Sequence, residues 1–159
     1  MAKVSRGKDF ELEIRRAFER EKNVSVDRLK DSMSGYMGDN NICDFIVYKK
    51  PDIYYLECKA IHGNTLNFKS DIRPNQWFGL SQKNMIEGAH AGFLVWFIDH
   101  DVTYYVDIQL MNAYKGLGMK SLRYDVEEKS PLMFKIDGKK KRILFNYDMA
   151  SFFKILERW

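Results

Sequence analysis

The chain has little cysteine, proline or histidine: two, three and three residues respectively among 159. Two cysteines, Cys43 and Cys58, are too few for a disulfide scaffold, and without histidine partners they cannot supply a four-ligand zinc site. His62, His90 and His100 have no ligand spacing and no nucleophile pattern near them. Long apolar runs are missing too. The longest surrounds Gly92 to Ile98, far below the ~20 residues that span a bilayer. The basic start, Met1-Ala-Lys-Val-Ser-Arg-Gly-Lys, runs into further charge and not into the apolar core of a signal peptide. The expectation is a protein that stays in the cytoplasm, has no membrane partner and keeps both thiols reduced and buried. No repeat and no low-complexity segment is visible.

What is present is an ordinary soluble composition, 45% hydrophobic and 30% charged, which excludes a disordered chain. A chain of this length buries roughly 70% of its unfolded surface around one core, so residues 1–159 are expected to form a single domain. The net charge of +4 is modest, but it is unevenly placed. Between Lys115 and Arg142 nine Lys or Arg face four acids, leaving the rest of the chain close to neutral. The densest piece, Lys139-Lys140-Lys141-Arg142, follows Asp137-Gly138 and reads as a hairpin turn with a basic tip suited to phosphates.

The hydrophobic periodicity predicts alternating short elements. Ser5 caps a helix running to about Lys22, with Phe10, Ile14, Ala17 and Phe18 along one stripe. Residues 23 to 40 read as irregular or short extended chain. Ile42 to Tyr48 and Ile53 to Lys59 read as two strands around Lys49-Lys50-Pro51-Asp52. Pro74 starts a helix that ends near Glu87, with Gly88 beyond it. Phe93 to Ile98 and Thr103 to Ile108 form a second strand pair, and Leu110 to Tyr114 a short helical piece. Leu132 to Ile136 and Ile143 to Asn146 are predicted to pair as a final hairpin. An amphipathic helix closes the chain at about Met149 to Arg158. The predicted fold class is α/β, a central mixed sheet flanked by helices.

The first strand pair carries the chemistry. A four-residue turn at 49 to 52 sets Tyr48 opposite Ile53 and, counting back, Asp44 opposite Glu57. Side chains alternate along a strand, so Asp44, Glu57 and Lys59 share one face. Opposed carboxylates repel unless a cation or a proton intervenes. Hard oxygen ligands suit magnesium, which keeps waters and accepts a phosphate oxygen. A lysine beside them can contact a phosphate or an attacking water. Any single Glu-x-Lys is more often an exposed ion pair; the joint pattern shifts the balance.

With Asp44 as first acid and Glu57-Cys58-Lys59 as the (D/E)XK element, the sequence resembles the PD-(D/E)XK nuclease superfamily. The literal Pro51-Asp52 is a decoy, because five extended residues put Asp52 roughly 16 Å from Glu57. Over most of the chain the resemblance is to RecU-like and archaeal, Hjc-like Holliday junction resolvases. Arg6-Gly7-Lys8-Asp9-Phe10-Glu11 is similar to their opening helix, where a glutamate four residues after a glycine joins the metal site. Gln76 stands where family members place a glutamine near the active lysine. Arg28-Leu29-Lys30-Asp31-Ser32-Met33-Ser34-Gly35 is similar to the archaeal arginine and serine-glycine segment; only 23 to 43 is available for the RecU stalk, so any stalk is short. The resemblance implies a restriction-endonuclease-like core and a Mg2+ (or Mn2+) site of Glu11, Asp44, Glu57 and the Cys58 carbonyl. It also implies that Lys59 and Gln76 act on water, and that a homodimer cuts four-way branched DNA in a bacterial cytoplasm, encoded by host or phage. Arg6, Arg28, Lys30, Tyr36 and Lys139 to Arg142 are the candidate DNA contacts.

Two alternatives stay open. One is another nuclease of the superfamily, of restriction, mismatch or flap type; the other is a non-catalytic DNA-binding protein with this fold. Cys43 and Cys58 are expected opposite each other on the reverse face of the hairpin as small packing groups. Trp77-Phe78 and Trp96-Phe97 read as core.

Overall fold

The computed structural model describes residues 6–30, 41–125 and 130–157. Tyr36, the capping Ser5, the 31–35 part of the serine-glycine segment and the end of the last helix at Arg158 lie outside the described residues.

The order of elements is α1 (Arg6–Glu19), β1 (Ser25–Arg28), β2 (Phe45–Lys49), β3 (Asp52–Ile61), β4 (Thr65–Asn67), α2 (Pro74–Lys83), β5 (Ala89–Phe97) and β6 (Val102–Asp107), followed by α3 (Ile108–Gly116), β7 (Ser121–Arg123), β8 (Met133–Lys135), β9 (Gly138–Lys140), β10 (Phe145–Tyr147) and α4 (Met149–Glu157). Six strands form the central sheet in the order β1-β2-β3-β5-β6-β8. Only β3 and β5 run parallel, so the sheet is mixed, as predicted. No helix among the described residues is long and apolar enough to cross a membrane.

Alternation along the strands sorts the core into two layers. Leu56, Leu94, Trp96 and Tyr105 pack with α1 and α4, against Phe10, Ile14, Phe18, Phe152 and Phe153. Phe93, Val95, Phe97 and Val106 pack with Leu80 of α2 and Ile108 and Met111 of α3. The apolar stripe predicted for the first helix is the buried one, although the helix ends at Glu19 and not at Lys22. Likewise α2 stops at Lys83, short of Glu87. Asn84 caps it and is held across the sheet end, its side chain accepting from the Ala91 amide at 2.9 Å.

Four expectations need correction. Leu132 to Ile136 and Ile143 to Asn146 do not pair: β8 adds to the sheet edge against β6, while β10 pairs with β9. Gly138 is consequently a strand residue. A Cβ there would lie 2.7 Å from the Asn146 carbonyl, so glycine answers a close approach of two backbones and the turn falls after it, where the Lys141 amide donates to the Leu144 carbonyl. Cys43 and Cys58 do not share a face, for Cys43 packs in the α2 layer and Cys58 in the α1 layer. Pairing of β2 with β3 ends at Phe45–Leu56, and the Asp44 amide turns to the Leu56 carbonyl, so the strand's alternation does not extend to Cys43. Finally, Trp96 and Phe97 are buried but Phe78 is 65% exposed. Beyond these, β1 extends the sheet next to β2, and β4 and β7 form a small ladder that no turn signal announces.

Candidate active site

The hairpin β2–β3 has the register that its turn implies: Tyr48 pairs with Ile53 and Phe45 with Leu56. Immediately past the last pair, Asp44 is tied down from two sides. Its carbonyl accepts from the Leu29 amide at 2.8 Å, and its Oδ2 accepts from the Cys58 amide at 2.8 Å. The middle residue of Glu57-Cys58-Lys59 therefore orients the first acid through its backbone, whatever its side chain.

Glu57 is 5% exposed and faces α2. Its Oε2 accepts from Gln76 Nε2 at 2.8 Å and from Lys59 Nζ at 3.0 Å. Lys59 Nζ also donates to Gln76 Oε1 at 3.2 Å, and the Arg73 amide donates to the same oxygen at 3.3 Å. Gln76 is 3% exposed, so each end of its amide has an assigned partner: the nitrogen fixes the acid, the oxygen fixes the lysine and the first turn of α2. Helix α2 approaches closely here because residue 79 is glycine. A Cβ at Gly79 would fall 2.2 Å from Ile42 Cγ2, two residues before Asp44.

Charge in this pocket is poorly compensated. The Glu57 carboxyl is pushed up to about 8, first by burial and then by the Asp44 charge, against the pull of Lys59. The Asp44 and Glu57 carboxyls are close enough to hydrogen-bond when one holds a proton. The thiols take no part: Cys43 is raised to about 12, and Cys58 well above its ordinary value, by burial and then by these carboxylates. Two opposed carboxylates and a backbone carbonyl are hard oxygen donors, the set that fits a magnesium-sized ion keeping several waters. Among the described residues no three His, Cys, Asp or Glu side chains converge as a complete metal cage.

Glu11 projects from α1, and its Oε2 lies 3.5 Å from Arg28 Nη2. Its charge still contributes to raising the Cys58 thiol. Together with Lys8, Arg15 and Arg28 it lines a cavity of about 280 Å³ rimmed by Phe45. Lys8 and Arg15 are absent from the predicted set, although Arg15 sits one helical turn from Glu11, a spacing that signals a shared face. Arg6 is exposed at the start of α1, and Lys30 is exposed just after β1.

The basic segment is divided. Lys139 and Arg142 are exposed. Lys140 pairs with Asp101 and lies over the Phe145 ring, and Lys141 Nζ donates to Glu13 Oε1 at 2.8 Å. Glu13, which the sequence makes look like any other surface glutamate, is 7% exposed and anchors the β9–β10 turn to α1.

No family model matches the chain, and no curated protein matches it. Among solved structures, the chain is similar to Hjc of Archaeoglobus fulgidus, a Holliday junction resolvase from an archaeal hyperthermophile, at 16% identity and a TM-score of 0.43, over 82% of this chain and 84% of that one.

Proposed function

We propose that this chain is a divalent-metal-dependent DNA endonuclease that resolves four-way junctions as a twofold homodimer. The observation that carries the reading is the buried cluster in which Gln76 bridges Glu57 and Lys59 while the Cys58 amide holds Asp44. A structural ion pair has no need of the second acid, and the Asp44 charge raises the cost of ionising buried Glu57.

Asp44, Glu57 and the Cys58 carbonyl would hold Mg2+ or Mn2+, with Glu11 at the border of the site. The bound ion would supply charge stabilisation at phosphorus and lower the pKa of water. Lys59, fixed at 3.2 Å from Gln76 Oε1, keeps an ammonium beside the carboxylates, where it holds a water or a non-bridging phosphate oxygen as negative charge develops. Gln76 keeps Lys59 and Glu57 in register. Arg28, Lys8 and Arg15 offer phosphate contacts along the α1 side, and Lys139 and Arg142 extend them at the β9–β10 turn. Resolution of a symmetric junction needs two coordinated cuts, hence two protomers related by a twofold axis.

The test compares cleavage of a four-way junction, a flap and a linear duplex of the same sequence, with magnesium and with chelator. Magnesium-dependent cutting of the junction, abolished in Glu57→Ala and Lys59→Ala while junction binding survives, supports the reading. Equal cutting of linear duplex points to a different nuclease. Binding of the junction with no metal-dependent cutting points to a non-catalytic protein on this fold.

A further inference from the structure

On the far side of α2 from Glu57, a cavity of about 610 Å³ opens between the loop after β4, α2 and α3. Its size falls within the ~300–1,000 Å³ typical of ligand pockets. The walls are already braced. Trp77 Nε1 donates to Asn112 Oδ1 at 2.7 Å, Asn112 Nδ2 donates to Ser81 Oγ at 3.0 Å, and Ser81 Oγ donates to the Trp77 carbonyl at 2.7 Å. Phe68 packs edge-on against the Trp77 ring at 5.0 Å, and Lys115 Nζ lies 4.8 Å from that ring's centre. Phe78 also lines the cavity, yet 65% of its surface is open to solvent. Lys69 joins Lys115 at the wall, and among the described residues no acid lines it.

A rigid aromatic wall, a solvent-facing ring and two ammonium groups without a carboxylate are complementary to a flat base carrying a phosphate. An apolar peptide would leave the two ammonium charges without a counter-charge, and an acidic one would leave the rings unused. The position matters as well. Trp77 and Phe78 follow Gln76 directly along α2, so the helix that positions Lys59 through Gln76 also forms a wall of the cavity. We propose that this cavity binds an unpaired nucleotide of the DNA strand passing through the site, its base against Phe78 and its phosphate between Lys69 and Lys115. The inference rests on the nuclease reading for the identity of the polymer, and it assigns a place to bases that are opened near the cut.

The experiment is a binding titration of the full chain with a short oligothymidine and with an abasic oligonucleotide of equal length, in chelator, so that cutting plays no part. Intrinsic tryptophan fluorescence, compared with that of a Trp77→Phe variant, and anisotropy of a labelled oligonucleotide are the readouts. The parent is expected to prefer oligothymidine, and Phe78→Ala to weaken it about fivefold or more, the loss typical of one stacked base. Phe78→Tyr is expected to restore the affinity. Thermal melting of each variant verifies folding, which an exposed ring does not govern. Equal affinity of the parent for the abasic strand, or unchanged affinity in Phe78→Ala, overturns the proposal. So does a change in oligomeric mass in Phe78→Ala without a change in oligonucleotide binding, which would assign the face to a second copy of the chain. Failure of junction cutting with stacking intact would instead overturn the nuclease reading alone.

Discussion

Replacing Glu57 with glutamine is expected to separate stability from activity. In the metal-free protein Glu57 is a buried carboxyl opposed by Asp44, and its proton is held far more tightly than the ordinary 4.5 of a glutamate, up to about 8. The stability that this proton confers is complete below the unfolded value and is lost as pH rises through the folded one. Each unit between the two is worth about 1.4 kcal/mol, so the parent gives up on the order of a few kcal/mol between pH 5 and 9. A glutamine keeps its carbonyl oxygen where Oε2 accepts from Gln76 and Lys59, and it never ionises. In chelator, the melting temperature of Glu57→Gln relative to the parent is therefore expected to climb across pH 5 to 8 and then level off, by several degrees in all. Adding magnesium is expected to raise the parent and leave the variant unmoved, while junction cutting in the variant falls by about 10³-fold or more. A melting difference that is flat with pH, or a variant that is less stable throughout, would refute the reasoning.

Gln76→Leu removes a donor from buried Glu57 and an acceptor from Lys59 and the Arg73 amide; it is expected to cost about 1–3 kcal/mol in denaturant melts and to cut turnover without loss of junction binding in chelator. Gly79→Ala, whose new methyl meets Ile42 Cγ2, is expected to destabilise by about 1–3 kcal/mol. Combining it with Ile42→Ala should recover part of that loss in a double-mutant cycle; strict additivity would show that the contact does not set the α2 approach. Removing the exposed Lys139 and Arg142 is expected to lower the salt dependence of junction binding by about one slope unit per residue, measured by anisotropy across ionic strength, whereas an unchanged slope would exclude the β9–β10 turn from the DNA path.

The part of the site that was legible in the sequence is the part set by local geometry. A tight turn between two strands fixes the pairing of Tyr48 with Ile53, and two-residue alternation then carries Glu57 and Lys59 to one face. Gln76, by contrast, came from family resemblance, because nothing local says that α2 lies over β3. Asp44 is held by something other than strand pairing, since it sits past the last strand pair and its carboxylate accepts from the Cys58 amide. The same break in pairing misplaced Cys43. At the C-terminal end, strands of three residues carry too little pattern to reveal partners, and β8 finds its own in β6, some thirty residues earlier. The burial of Glu13 was invisible for a similar reason, because its partner Lys141 is 128 positions away.

The central claim is that Asp44, Glu57 and the carbonyl of Cys58 form a cation site beside Lys59. Anomalous scattering from crystals soaked in manganese tests it directly. The account predicts a peak within coordination distance of both carboxylates and that carbonyl, absent in Glu57→Gln. Crystals that show no peak there, or a manganese peak elsewhere with the Asp44 and Glu57 side chains turned apart, would contradict it.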